Sequence, residues 1–166
     1  MRKQLLLPVL LLAIAPGVCA QSAAAPAAPT STQATTAPEL SPAQKAQLEK
    51  QNTQMATAAL QIAQMVDRNQ IGPIWDNASS VAKRANTRAD FVQQISADRA
   101  QLGALKSRQL TAITRTHSKG GELPPGLYIS MNYTTQFANA RQPVHELISY
   151  HLDADEVWRV AGYTVR

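Results

Sequence analysis

Cysteine is the scarcest residue type in this 166-residue chain, which contains only Cys19. That residue lies in a segment where Arg2 and Lys3 precede an apolar run over 5–15, and a small residue follows at Ala20. This order is typical of a secretory signal peptide, and the run is too short to cross a bilayer core, which takes roughly 20 apolar residues. We expect cleavage after Ala20. The mature protein is then periplasmic or secreted and lacks any disulfide, thiol nucleophile or thiolate metal site.

A lipid anchor on Cys19 is the alternative interpretation of the same segment. It would favour a leucine three residues upstream, where Pro16 stands, and a Gly or Ala directly before the cysteine, where Val18 stands. Both positions disagree with an anchor, so we favour a cleaved signal peptide over residues 1–20.

Aromatic residues are also few, at 5% of the chain, and none precedes Trp75. Residues 21–41 consist mainly of Ala, Pro, Thr and Ser, a composition that cannot bury enough apolar surface to offset the entropy of ordering. We therefore predict a disordered linker over 21–41. Residues 42–166 hold every aromatic side chain and are long enough for a single domain with its own core.

The spacing of apolar residues changes from a helical to a strand period at Gly103. Before it, capping and proline signals predict three helices, over 41–69, from 72 through at least 82, and over 87–103. After it, apolar alternation and turn signals predict four strands, over 105–116, 127–137, 144–152 and 157–165. Three N-terminal helices packed on one face of a four-stranded antiparallel sheet make an α+β domain.

A set of residues spread over 66–163 carries a family resemblance. It consists of Val66-Asp67, Ile74-Trp75-Asp76, Arg99, Leu102-Gly103, Arg108, Leu123-Pro124-Pro125-Gly126-Leu127-Tyr128, Phe137, Glu146 and Trp158-Arg159-Val160-Ala161-Gly162-Tyr163. With these residues the sequence resembles, over roughly 60–166, a family of small exported bacterial proteins, the domain-of-unknown-function family catalogued as number 4019. The resemblance implies a curved sheet holding helices, similar to the nuclear-transport-factor-2 or cystatin type, and it brings no activity with it.

Two charged residues stand at positions where the pattern predicts buried apolar side chains. Glu146 shares the parity of Ile148 and Tyr150 in the third strand, and Arg99 lies within the apolar stripe of the third helix. An unpaired buried charge costs several kcal/mol, so we expect Glu146 to meet Arg99 or, failing that, Arg108. The pair is either a structural ion pair or a carboxylate lining a pocket. In the second case Glu146 is an acid or base and Arg99 or Arg108 stabilises negative charge.

No metal site or cofactor is predicted from the remaining polar residues. His145 and His151 are about 20 Å apart on one strand, so we interpret both as isolated surface imidazoles. The acidic turn at 153–156 lacks the glycine and the distal glutamate of a calcium loop. Ser79 and Ser80 have no histidine at a recognisable motif spacing, and the sequence has no phosphate-binding or dinucleotide motif.

Positive charge is concentrated in the middle of the chain. Residues 83–119 carry eight basic and two acidic side chains, a net +6, against +5 for the whole sequence and +3 after residue 20. A solvated face explains this, and weak contact with an anionic envelope surface is the alternative. Nucleic acid is an improbable partner of an exported protein, and Phe91, the aromatic residue within the basic run, belongs to the apolar stripe of the third helix and is not expected to stack on bases.

Tyr128 and Tyr163 have the parity opposite to the core of their strands, so we expect exposed rings that could form a partner surface or a homodimer contact. The prediction from sequence is thus an exported, non-catalytic accessory or binding domain. Its partner would be a protein, a glycan or a small ligand. A small-molecule enzyme using Glu146 and a homodimerisation or envelope-interaction module are the alternatives.

Overall fold

The structure is a computed structural model that describes residues Glu39–Arg166. The predicted signal peptide and residues 21–38 of the predicted linker lie outside the described residues. Within the described part no helix is long and apolar enough to cross a membrane.

Helix α1 covers Pro42–Asp67 and begins at a complete capping box. The Ser41 side chain accepts a hydrogen bond from the Gln44 backbone N–H, and the Gln44 side chain accepts one from the Ser41 N–H. Buried residues recur at a spacing of four through Met55, Ala59 and Ala63, so one stripe of α1 faces the core. Helix α4 covers Arg88–Leu102, is capped by Thr87, and ends at Gly103, whose φ of 73° suits a glycine.

The predicted second helix is two short helices, so the described chain has four helices and the expectation of three is wrong. Helix α2 covers Ile71–Asp76 and helix α3 covers Ser80–Ala85. The break occurs because Ser79 caps α3 through its side chain, while its backbone N–H donates to the carbonyl of Val160. Ser79 therefore has an extended backbone conformation, with ψ at 151°. Its backbone hydrogen bond connects the break between the two helices to a strand.

The four predicted strands are present as a meander in one antiparallel sheet of order β1-β2-β3-β4. Their bounds are β1 Leu105–Ser118, β2 Gly126–Phe137, β3 Val144–Leu152 and β4 Trp158–Val165. Buried strand residues such as Ile129, Met131 and Ile148 form one core with buried residues of α1, α2 and α4, which cover one face of the sheet. Residues of α3 line a groove with Tyr128 and Ser130, whose positions alternate with the core residues of β2 and so face the other side of the sheet. Helix α1 runs antiparallel to β1, because Gln51 meets Arg115 whereas Asp67 meets Arg108.

A β-bulge in the last strand pair changes which residues face the core. Ser149 pairs with Gly162 but Tyr150 pairs with Val160, so Ala161 is an extra residue in β4. The bulge places Val160 and Tyr163, three residues apart, on the same face, and Tyr163 lies opposite the buried Ile148.

Candidate functional site

Glu146 lies at the centre of a buried charge network on the helix-covered face of the sheet. Its side chain is 0% exposed. Oε2 accepts hydrogen bonds from Arg108 Nε at 2.6 Å and Thr135 Oγ1 at 2.7 Å. Oε1 accepts from Tyr163 OH at 2.7 Å and Arg108 Nη2 at 3.1 Å. These four bonds fill the acceptor positions of a carboxylate.

Arg108 connects Glu146 to a second carboxylate, that of Asp67 at the end of α1. Its two terminal nitrogens donate to Asp67 at 2.9 and 3.1 Å, so one guanidinium bridges helix and sheet. Arg99 does not reach Glu146: it donates to Asp67 at 3.0 Å, and its guanidinium lies over the Phe137 ring. The expected pairing of Glu146 with Arg99 is therefore replaced by pairing with Arg108. Two arginines and two carboxylates make the network neutral.

The network stabilises the charged forms of Asp67 and Arg108 and the neutral form of Tyr163. Burial opposes ionisation of Asp67, but hydrogen bonds and charge attraction from Arg108 and Arg99 outweigh it and lower the pKa of that carboxyl. Burial likewise opposes the charge on Arg108, yet its bonds to Asp67 and Glu146 raise its pKa. Burial and the neighbouring Glu146 charge raise the pKa of Tyr163, which stays a neutral donor.

The geometry of Glu146 does not suit acid–base catalysis. A groove of about 470 Å³ reaches the outer end of the network at Asp67 and Arg99, but Glu146 does not line it. A general acid or base must reach the proton that it moves, and Glu146 has neither a free acceptor position nor exposure to solvent. The network therefore acts as a structural connection between α1, α4 and the sheet.

A second polar cluster joins Ser79 to His151 and Asp153, which lie 72 and 74 positions further along the chain. Ser79 Oγ lies 2.5 Å from Asp153 Oδ1, and His151 Nδ1 lies 2.8 Å from the same oxygen. The Ser80 backbone N–H donates to Asp153 Oδ2 at 3.2 Å. Burial opposes ionisation of Asp153, but these bonds outweigh it and lower its pKa to about 2.

These three residue types occur in hydrolase triads, but their arrangement here differs. In a triad one histidine nitrogen faces the aspartate and the other faces the serine. Here Nδ1 faces both partners, at 2.8 Å from Asp153 and 3.3 Å from Ser79, and Nε2 is buried without a partner. Ser79 is 0% exposed. The cluster is a structural link between the α2–α3 connection and the β3–β4 hairpin, and the expectation of a surface imidazole at His151 is wrong. His145 is exposed, as expected, and lies 3.1 Å from Asn132 Oδ1.

The two tyrosines expected on the surface are both buried, so that expectation is wrong. Tyr128 is 4% exposed: its hydroxyl donates to the Pro124 carbonyl and its ring lies 4.9 Å from that of His151. Tyr163 is 7% exposed because the bulge turns it to the core, where it binds Glu146. Neither ring is available as a partner surface.

An open groove lies on the helix-covered face, at the end of the sheet where β1 finishes and β2 begins. Its volume is about 500 Å³, within the range of small-molecule sites. We call it the end groove. Its apolar lining comes from three strands, through Leu127, Ile129, Leu152 and Trp158. The rest of the lining comes from Gln51 of α1, from Arg115, Thr116 and His117 of β1, and from Tyr128 of β2.

Some of these residues carry a sequence signal and others do not. Asp67 follows Met55, Ala59 and Ala63 at the same spacing of four, so the criterion that selected Arg99 also indicates Asp67. The approach of Ser79 to His151, 72 positions away, has no local signal. Within the described residues no group of three or more His, Cys, Asp or Glu side chains could hold a metal ion.

The class that these features define is an α+β domain with a meander sheet, a sealed charge network and an open end groove. A family model described as a protein of unknown function, DUF4019, matches residues 58–163, and the chain belongs to this family. No curated protein and no solved structure matches the chain.

Proposed function

We propose that the protein is an exported, non-catalytic binding domain that holds a small, largely apolar ligand in the end groove. The observation that carries the proposal is the groove itself, which brings the exposed Leu127 and the half-buried Trp158 together in one concave, largely apolar lining. Concave sites of this size with a mainly apolar lining are typical of small-molecule binding sites.

We propose a domain without catalytic activity because of the surroundings of Glu146. The residue best placed by sequence for acid–base chemistry is sealed and fully hydrogen-bonded, whereas the open groove has no carboxylate in its lining. Binding needs only shape and apolar area, which the groove has.

Export is the second element of the proposal, and the segment over 1–20 supports it. The mature protein begins at Gln21, and its fold is of the nuclear-transport-factor-2 or cystatin type. Mass spectrometry of the protein recovered from a bacterial periplasm tests export: we expect the mass of residues 21–166. Absence of the protein from the periplasmic fraction contradicts export, whereas a mass that includes residues 1–20, or a lipid on Cys19, contradicts cleavage after Ala20.

A neutral fluorescent probe, N-phenyl-1-naphthylamine, tests binding in the end groove. We expect saturable fluorescence with the wild-type protein and about a tenfold weaker affinity for Leu127→Gln, because burying a leucine side chain stabilises a complex by about 1.5 kcal/mol or more. Leu105→Gln is the matched control, since Leu105 is an equally exposed strand leucine, 40% against 44%, outside the groove lining. Equal loss in both variants, or no saturable signal in the wild type, contradicts the proposal.

A further inference from the structure

Arg115, like Arg68, forms side-chain hydrogen bonds only with uncharged partners. Its Nη2 donates to Gln51 Oε1 at 3.0 Å and to Asn52 Oδ1 at 2.7 Å, both amide oxygens of α1. Arg88, Arg99, Arg108 and Arg159 each pair with a carboxylate instead. Among residues 39–166 no carboxylate lies within 4.0 Å of the Arg115 guanidinium, so its charge is not neutralised by the protein.

The two amides also hold the guanidinium at the border of the end groove. Both bonds use Nη2, which leaves the Nε and Nη1 hydrogens without a protein acceptor among the described residues. An arginine has five N–H donors, and each of its two bidentate edges includes Nη2, as the bonds of Arg108 to Asp67 and Glu146 show. Because α1 uses the Nη2 hydrogens, the guanidinium of Arg115 is positioned by the helix and offers Nε and Nη1 as separate charge-assisted donors to an anion.

Sheet register places this cation beside the apolar lining. Arg115 is the direct cross-strand neighbour of Ile129, and His117 is that of Leu127. Leu152 pairs with Trp158 in the strands beyond. The groove therefore has a cationic border on β1 and an apolar floor extending to β4.

We propose that the end groove selects an anionic amphiphile. This ligand has an aliphatic chain that lies over Leu127 and Trp158 and a single carboxylate or phosphate headgroup that binds Arg115, with His117 as a second polar contact. The inference rests on the proposed function and adds the chemical class of the ligand. Charge complementarity supports it: an unpaired guanidinium gains a charge-assisted hydrogen bond, and the adjoining floor gains apolar burial.

Calorimetric titration with laurate, dodecyl phosphate and dodecanol, each below its micelle concentration, tests the headgroup. We expect at least one of the two anions to bind about tenfold or more tightly than dodecanol, which has the same chain without the charge. The tighter of the two anions identifies the headgroup as carboxylate or phosphate. Equal affinity for dodecanol and both anions overturns this inference and leaves the proposed function intact. Failure of all three to bind overturns both.

Two variants assign the preference to Arg115. We expect Arg115→Gln to lose the preference for the anion while its affinity for dodecanol stays within about twofold of the wild type. Lys106→Gln removes the same charge from an exposed position of β1 outside the groove lining, and we expect it to keep the preference. Equal loss in both variants indicates attraction by the overall positive charge and overturns the assignment.

Discussion

At the residue scale, the position of a charge in the apolar pattern was the most informative feature of the sequence. Glu146 and Arg99 both lie inward, and the same criterion applied to α1 indicates Asp67. Which carboxylate meets which arginine did not follow from the pattern. Arg108 bridges Glu146 and Asp67 because the register Arg108↔Thr135 and the end of α1 bring both within its reach.

Removing the bridging arginine tests the structural role of the network. We expect Arg108→Met to lower the free energy of unfolding by about 3–5 kcal/mol, because it leaves Glu146 buried without its counter-charge. Arg88→Met is the control: it breaks an ion pair whose partners are 55% and 54% exposed, and we expect a much smaller loss because solvent screens an exposed pair. Urea denaturation at neutral pH measures both. Similar losses in the two variants would show that the buried network contributes no more than a surface pair.

At the scale of secondary-structure elements, sequence periodicity located all four strands and three of the four helix starts. It did not reveal the bulge at Ala161, which reverses the facing of the residues after it in β4 and buries Tyr163. It also did not reveal that the first residue of β2 lies in close contact with a side chain of β3. Gly126 has a φ of 144°, and a Cβ at this position would overlap His151 Nε2.

Two strand glycines allow a matched test of that close approach. We expect Gly126→Ala to lower the free energy of unfolding by roughly 1–3 kcal/mol, because the new methyl group meets His151 and the backbone angle disfavours an L side chain. Gly162→Ala adds the same methyl group in β4, where no atom lies within 4 Å and φ is not in the left-handed region. We expect it to change stability by less than about 1 kcal/mol. Thermal unfolding compares the two, and a Gly126→Ala protein as stable as Gly162→Ala would contradict the contact.

At the scale of the whole molecule, the stability of the domain depends on carboxylates that the fold keeps ionised. Asp67 and Asp153 both have a lowered pKa, that of Asp153 falling from an ordinary value of 3.8 to about 2. A carboxyl with a lower pKa in the folded state stabilises the fold fully above its unfolded pKa. This contribution is lost as the pH falls towards the folded value, because the unfolded chain takes up the proton first.

We therefore expect the free energy of unfolding to decrease as the pH is lowered from about 4 to about 2. Asp153→Asn should be less stable than the wild type at neutral pH by roughly 1–3 kcal/mol, because its bonds to Ser79 and His151 are weakened. It should also lose less stability over the acid range. Urea titrations at several pH values measure both effects, and parallel pH profiles for the two proteins would contradict the assignment to Asp153.

The sequence by itself determined the order of helices and strands, the inward direction of Glu146 and Arg99, and the family resemblance, because these depend on local period, capping and residue identity. Only the tertiary structure decided the pairing of Arg108, the approach of Ser79 to His151 and the burial of Tyr128. It also decided the end groove that joins Arg115 of β1 to Trp158 of β4. These features depend on strand register and on how the helices and loops dock against the sheet, which bring together residues that no local pattern relates.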